Sequence, residues 1–467
     1  MALDVYTTRP SGPADCSTAR VRSTSARPSV SSWTTVPAAG VPDVTRAPAS
    51  SSRRTTARRS GDSEPTTDTC STGPTMLRMS DPGPSGNPFE QLPIFGDLAR
   101  LFSEQGPVSW DVARQIALLL ATEGQPEMNV DPLVRMGYEE LARVAELHVA
   151  NATGLPTAPG GGVLQVRPVG RGEWAQRGLE AYRPLLERLA TALSLPGADD
   201  EVEPDASTEL LGSIGKLLGP VLLGMQSGLM VGHMAQRALG QYDVPLPRPT
   251  SDELLVVPAN IDSFGSEWSL PEEDLRLWVL LHEVVHHAVL GVPHVRARLG
   301  QLLDEYVSGF EVDPHSLEGS LGEMDLGDPS GLQALLGNPE TLFGAIQTST
   351  QRDVLVRLEA LVVPLVGYVD YVLDTTGRRL IATYDMVTEA LRRRRVEATD
   401  GDRFVGRLLG VELNQTHYDR GAAFVRGIVE RGGPEAAHQL WVGSRQLPTP
   451  AELDAPGLYL ARLEIDE

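Results

Sequence analysis

The chain has 467 residues, and this length favours more than one domain because single hydrophobic cores rarely grow past about 300 residues. Its formal net charge of −22 at pH 7 disfavours nucleic acid and anionic membrane surfaces as partners. The two cysteines, Cys16 and Cys70, both lie in residues 1–86, which excludes disulfides and cysteine-ligated metal sites from the rest of the chain.

Residues 1–86 are dense in Ser, Thr, Pro and Arg and have little apolar periodicity. Such a segment cannot bury enough surface to offset the entropy lost on ordering, so we predict a disordered tail. It has no continuous apolar stretch of the kind that marks a secretory signal, and we expect a cytoplasmic protein. A second interpretation is an over-long gene assignment, with translation beginning at Met76 or Met79.

Residues 87–250 are predicted to form a helical N-terminal domain. Apolar residues recur at i, i+3 and i+4 in FGDLARLF (95–102), after Ser109 and after Asp131. Ser109 and Asp131 are residue types that commonly cap a helix N-terminus, so each is expected to begin a helix.

Residues 210–232 are apolar over a length that would suit a membrane span. Three glycines within it follow small-xxx-small spacing: Gly224, Gly228 and Gly232. Lys216 and Pro220 argue against a span, and we therefore predict a buried, closely packed helix pair.

Residues 251–467 are predicted to form a second domain that carries a short strand in ELLVVPAN (253–260). Ser269 and Glu272 have capping-box spacing, which predicts a helix running on to about Leu290. Further helices are predicted at about 295–310, 351–374, 382–396, 401–411 and 417–431. The predicted fold class is mainly α with a small β element.

The stretch WVLLHEVVHH, residues 278–287, combines two histidines four residues apart with a glutamate. On a helix, His282 and His286 share one face, so both imidazoles can reach one ion while Glu283 projects beside them. A catalytic zinc takes three protein ligands and leaves a position for water, from which such a glutamate can remove a proton. The alternative is a chance match on an amphipathic helix. Burying three polar side chains without a partner would be costly, which favours the metal site.

Glu305 is the predicted third ligand, nineteen residues after His286, where a following helix can fold back across the site. Asp304 is its neighbouring rival, and His294 does not fit the HExxHxxGxxH spacing. His287 points about 100° away from His286 on a helix, so we expect it to pack at the edge of the site or to hydrogen-bond behind the ligands.

Several further segments resemble a family of bacterial zincin-like metallopeptidases, described as hydrolases or zinc-dependent metalloproteases. The resemblance covers about residues 87–460 and rests on NPFEQLPIFGDLARLF, GQYDVPLPRP, LLVVPANIDSF, DLRLWVLLHEVVHH, DEYVSGF and GAAFVRGIVERGG. It implies a zincin-like, mostly helical fold that binds Zn²⁺ through His282 and His286, with Glu283 as the catalytic base.

The chain departs from this resemblance at Val366, which is followed by Gly367 and Tyr368. Members of the family that the chain resembles carry a glutamate before that glycine. If that glutamate is the third ligand of the family, the site here is incomplete; if Glu305 is the ligand, Val366 has no consequence.

Two functional hypotheses arise from these observations. The first is a zinc metallohydrolase, a peptidase acting on a peptide or protein, in which Glu283 is the general base for a metal-activated water. The second is a non-catalytic zincin-like scaffold with a degenerate site, acting in binding or regulation. It is motivated by Val366 and by the lack of an assigned oxyanion donor, for which Tyr306, Tyr368 and Tyr371 are candidates that serve equally well as core residues.

Overall fold

The computed structural model describes residues 106–193, 206–310, 348–397 and 399–466. The predicted tail at residues 1–86 and the predicted helix at 95–102 lie outside these residues. The whole of the histidine-containing stretch 278–287 lies within them.

Helices dominate the described residues, and two short strands form one parallel sheet among them. The elements in chain order are α1 (Trp110–Ala121), α2 (Pro132–Thr153), β1 (Gln165–Pro168), α3 (Arg171–Ala192), α4 (Ala206–Arg237), β2 (Glu253–Val256), α5 (Pro258–Glu267), α6 (Glu272–Gly291), α7 (Pro293–Ser308), α8 (Ser349–Leu380), α9 (Tyr384–Val396), α10 (Asp400–Leu409), α11 (Gln415–Gly432), α12 (Pro434–His438) and α13 (Pro456–Asp466). The predicted fold class, mainly α with a small β element, is confirmed.

Among the helix N-terminal caps predicted from the sequence, Asp131 is confirmed and Ser269 is not. Asp131 caps α2 as predicted, because its Oδ1 accepts a hydrogen bond from the Leu133 N–H at 2.7 Å. The predicted capping box of Ser269 is wrong. Ser269 has a left-handed φ of 53° in the turn that ends α5, where the Leu270 N–H donates to the Gly265 carbonyl at 2.8 Å.

Helices α1 and α4 cross at very short range along the glycines of α4. A Cβ on Gly224 would lie 2.3 Å from the Ser109 carbonyl oxygen, and one on Gly228 would lie 2.6 Å from that of Ala113. Only glycine allows this approach, which supports the predicted close packing of the segment. No single described helix has the length and apolarity to cross a membrane; α6 and α7 pass that test only as a pair bent by 85°.

The small sheet joins the two parts of the chain that were predicted as separate domains. Strand β1 pairs in parallel with β2, from Gln165 opposite Glu253 to Pro168 opposite Val256. One hydrophobic cluster also extends from α1 to α13. The described residues on both sides of position 250 therefore belong to one compact unit.

Helix α6 lies at the centre of this unit and packs against α2, α8 and α9. Every residue from Leu277 to Leu290 is buried. A helix that is apolar on nearly all faces belongs to a core, and this explains the apolar flanks of the histidine motif. The polar side chains of α6 are consequently placed in the interior of the protein.

Candidate metal site

His282, Glu283 and His286 line a cavity of about 320 Å³. Its apolar wall includes Trp174, Met234, Leu239, Trp278 and Val366, and its charged wall includes Arg237, Asp243, Arg394, Arg395 and Asp402. The structure therefore brings the three central motif residues to a single cavity.

The hydrogen bonds of the two histidines define which ring nitrogen is free. His286 Nδ1 lies 3.0 Å from the carbonyl oxygen of His282, so Nδ1 carries the proton and donates it. His282 Nδ1 lies 3.2 Å from Glu283 Oε1. When Glu283 is ionised, each Nδ1 donates to an oxygen and each Nε2 keeps its lone pair, as a metal ligand requires. The ring centroids are 4.3 Å apart.

The protonation of the pair follows from its burial. Burial lowers the pKa of His282 to about 4, and the charge of Arg395 acts in the same direction. Burial also lowers the pKa of His286 well below its usual value, with His282 adding to the effect. Both imidazoles are therefore neutral at pH 7, the form that binds a metal.

Glu283 is fully buried and is held by the backbone that follows α4. Its Oε2 accepts hydrogen bonds from the N–H groups of Gln241 at 2.7 Å and Tyr242 at 2.8 Å. A Cβ on Gly240 would lie 2.3 Å from Glu283 Cδ, so only glycine permits the contact. Burial raises the pKa of Glu283 to about 8, helped by Asp243 and opposed by the two N–H groups. Oε1 is the carboxylate oxygen that the backbone leaves free.

Aromatic rings fix the orientation of both imidazoles. Trp278 stacks on His282 with centroids 5.3 Å apart, and Tyr242 stacks on His286 with centroids 6.0 Å apart. The Tyr242 hydroxyl hydrogen-bonds to His287 Nδ1 at 3.0 Å. His287 thus hydrogen-bonds behind the ligand pair, in agreement with the sequence prediction. Tyr242 was not among the site residues predicted from the sequence, although it lies in GQYDVPLPRP, one of the segments that carry the family resemblance.

The predicted third ligand, Glu305, does not join the histidines. Its Oε1 accepts a hydrogen bond from Gln301 Nε2 at 2.8 Å, and its Oε2 pairs with Arg357 Nη2 at 2.9 Å. The 85° bend between α6 and α7 and the packing of α7 on α3 and α8 account for this placement. Its rival Asp304 pairs with Arg188 at 2.9 Å. Within the described ranges, no three His, Cys, Asp or Glu side chains form a group that could hold a metal.

Val366 on α8 lines the same cavity as the two histidines and is 3% exposed. One turn further along α8, Asp370 forms a bidentate pair with Arg395, with N–O distances of 3.0 and 3.2 Å. The helix therefore offers an apolar side chain to the cavity and directs its nearest carboxylate to an arginine.

The candidate oxyanion donors also lie elsewhere. The Tyr306 hydroxyl donates to the Arg407 carbonyl at 2.7 Å, and the Tyr368 hydroxyl bonds His438 Nδ1 at 3.0 Å. Neither these residues nor Tyr371 is among the residues that line the cavity, whereas Tyr242 and Tyr418 are. Tyr306 and Tyr368 are buried core residues.

The described side chains fit part of a zinc site. Two neutral imidazoles with free Nε2 atoms are suitable ligands, and a carboxylate lies beside them. A catalytic zinc normally has three protein ligands, and the third is not present among the residues that the structure describes.

A buried helix that offers two imidazoles and an adjacent carboxylate to a cavity is the arrangement of zincin-type hydrolases. The profile of the zincin-like metallopeptidase family matches residues 108–460, and the chain belongs to this family. A solved structure from Chloroflexus aurantiacus, described as a candidate hydrolase with a novel fold, is similar at 25% identity and a TM-score of 0.55. That similarity covers 76% of this chain and 99% of the other. No curated protein matches the chain.

Proposed function

We propose that this chain is a zinc-dependent hydrolase whose substrate is a peptide or protein. The observation that carries the proposal is the hydrogen bonding of the histidine pair. His286 Nδ1 donates to the His282 carbonyl and His282 Nδ1 lies beside Glu283 Oε1, which leaves both Nε2 atoms available as ligands at the wall of one cavity when Glu283 is ionised. Membership of the zincin-like metallopeptidase family supports the same reaction class.

The roles of the residues follow from their contacts. When bound, zinc would polarise a substrate carbonyl and lower the pKa of the attacking water. The charge of a bound zinc would also lower the pKa of Glu283, and the ionised carboxylate would accept a proton from that water at Oε1, since two backbone N–H groups occupy Oε2. The rings of Trp278 and Tyr242 keep the imidazoles in place and exclude bulk water.

A second candidate function is a non-catalytic scaffold that binds a ligand in the same cavity. Val366 favours it, because this residue of α8 lines the cavity with an apolar side chain that cannot bind a metal. The positive charges of Arg394 and Arg395, which also line the cavity, oppose the binding of a dication. Both arginines are paired with carboxylates, which reduces that opposition.

Metal analysis combined with a hydrolysis assay tests the proposal. We expect zinc-supplemented wild type to cleave a mixed peptide library, and His286→Ala to lose both zinc and cleavage. Glu283→Gln should keep zinc and lose cleavage, because glutamine still accepts the backbone hydrogen bonds and cannot take the proton. Glu305→Gln, altered at an ion pair outside the cavity, is the matched control and should behave as wild type. Zinc binding without cleavage of any peptide would favour the scaffold.

A further inference from the structure

We infer that the residues described by the structure leave the metal site short of one protein ligand, that Val366 occupies a position from which a ligand would complete it, and that zinc is consequently held weakly and reversibly. This inference rests on the assignment of His282 and His286 in the proposed function. It concerns the affinity of the site, whereas the proposed function concerns its reaction.

Val366 and the histidine pair line one cavity from different helices. Helices α6 and α8 pack against each other, and each contributes to the lining of the same cavity. His282 and His286 supply nitrogen ligands from α6, whereas α8 supplies the buried side chain of Val366. A valine has no atom that can bind a metal ion.

The buried and half-buried carboxylates around the cavity are already engaged. Asp243 accepts from the Leu239 N–H at 2.7 Å and pairs with Arg394 at 3.3 Å. Asp370 is held by both terminal nitrogens of Arg395. Recruiting either one would leave a buried arginine without its partner, which is costly.

Asp402 is engaged in the same way. It accepts hydrogen bonds from the Thr399 N–H at 2.9 Å and the Thr399 hydroxyl at 2.8 Å, and it pairs with Arg237 at 3.2 Å. Glu283 is bound at Oε2 by two backbone N–H groups. A third ligand taken from these four carboxylates would therefore have to displace an existing bond.

A carboxylate at position 366 would make the stability of the protein depend on zinc. A glutamate there would be buried, and a buried carboxylate is destabilising unless it is protonated or ligated. Zinc binding would relieve that penalty, so the stability of Val366→Glu should depend on zinc. Wild type carries no such penalty and should respond less.

Val363 provides a matched control on the same helix. It is as buried as Val366, but it packs with Ala360 and Leu453 in a separate small cluster and is not among the residues that line the cavity. Val363→Glu therefore introduces the same buried charge without placing it at the histidine pair. It should be destabilised with or without zinc.

The experiment measures zinc affinity by competition with a chromophoric chelator, and Tm with and without zinc, on the full chain. The proteins are wild type, Val366→Glu, Val363→Glu and the double variant Val366→Glu with His286→Ala. Loss of residues that merely support metal ligands changes affinity by about 10- to 100-fold, so a gained ligand should tighten binding at least about 100-fold. Only Val366→Glu should gain both affinity and a zinc-dependent rise in Tm, and the double variant should lose both gains.

An affinity of Val366→Glu no tighter than that of wild type would overturn the inference. If Val366→Glu does not fold, Val366→Asp serves as a second variant, and the wild-type affinity remains decisive. Wild type that retains one zinc per chain against a chelator of nanomolar affinity has a complete site, and the inference is then wrong. A gain of affinity in Val366→Glu with no cleavage in either protein would retain the inference and reject the proposed function.

Discussion

Two of the helices that line the cavity, α6 and α8, both contribute buried side chains to it, yet their chemistry differs. Helix α6 carries three buried histidines and a buried glutamate, each tied to a neighbouring group. Helix α8 presents Val366 to the same cavity and pairs its buried Asp370 with Arg395. A zincin-type helix can thus be retained in full while α8 offers the cavity no metal ligand. Substitutions around the cavity test this difference.

The largest effect is expected from the carboxylate of α6. Glu283→Gln should reduce peptide hydrolysis by about 10²- to 10⁴-fold, the usual contribution of a general base. Single-turnover rates on zinc-supplemented protein provide the measurement. A variant that keeps wild-type rates would place the base elsewhere and remove α6 from the proton transfer.

Among the effects on stability, the largest should be the change with pH in the free energy of unfolding of the metal-free protein. Burial lowers the pKa of His282 and His287 to about 4 from an ordinary 6.5, and that of His286 falls too. A histidine that is kept neutral in the folded state stabilises it above pH 6.5, and this contribution is lost as the pH falls toward 4. Glu283, with its pKa raised to about 8, acts in the opposite sense between pH 8 and 4.5.

Urea unfolding in the presence of a chelator measures both contributions. Stability should rise modestly as the pH falls from 8 to 6.5, because folded Glu283 takes up a proton that the unfolded chain does not. Below pH 6.5 the three histidines outweigh the one glutamate and stability should fall. Glu283→Gln should abolish the first change and keep the second; a flat profile in wild type would contradict the assigned burial of α6.

Gly240→Ala should lower the free energy of unfolding by about 1–3 kcal/mol, the usual cost of overpacking. The added Cβ would meet Glu283 Cδ at 2.3 Å and push the carboxylate away from its two N–H donors. Gly137→Ala on α2, where no atom lies within 4 Å of the new Cβ, is the control and should be neutral or slightly stabilising. Equal effects at the two glycines would argue against a tight contact at Glu283.

The smallest effect is expected for Tyr242→Phe, which removes the hydroxyl bonded to His287 Nδ1 and keeps the ring that stacks on His286. We expect a loss of about 0.5–1.5 kcal/mol, the usual net contribution of one hydrogen bond. Chemical denaturation measures the loss, and zinc affinity should stay close to that of wild type. A large fall in affinity would show that the hydroxyl, rather than the ring, positions His286.

Local spacing in the sequence predicted the α6 side of the site. The four-residue interval of His282 and His286, the adjacent Glu283 and the supporting role of His287 all follow from the geometry of one helix. Glu305 was not predictable in this way, because its position depends on the 85° bend after α6 and on Arg357 from α8. The N–H donors of Gln241 and Tyr242 left no trace in side-chain type, since nearly every residue has such a group.

The same distinction applies to the fold. Helices with regular apolar spacing, such as α2 and α11, were predicted close to their observed bounds. Strand β1 has only four residues, too few for a clear alternation, and α3 contains Pro184, a residue that usually interrupts a helix. Tertiary packing stabilises both elements, and sequence periodicity alone does not report it.

The most direct test of the account is a crystal structure of the zinc-soaked protein, with anomalous scattering recorded at the zinc edge. We predict one anomalous peak about 2.0–2.1 Å from Nε2 of both His282 and His286, with no third protein ligand and with Val366 lining the same cavity. A peak that is also bonded to Glu305, or to any side chain from residues 311–347, would contradict the account, as would a cavity in which no zinc contacts the two histidines.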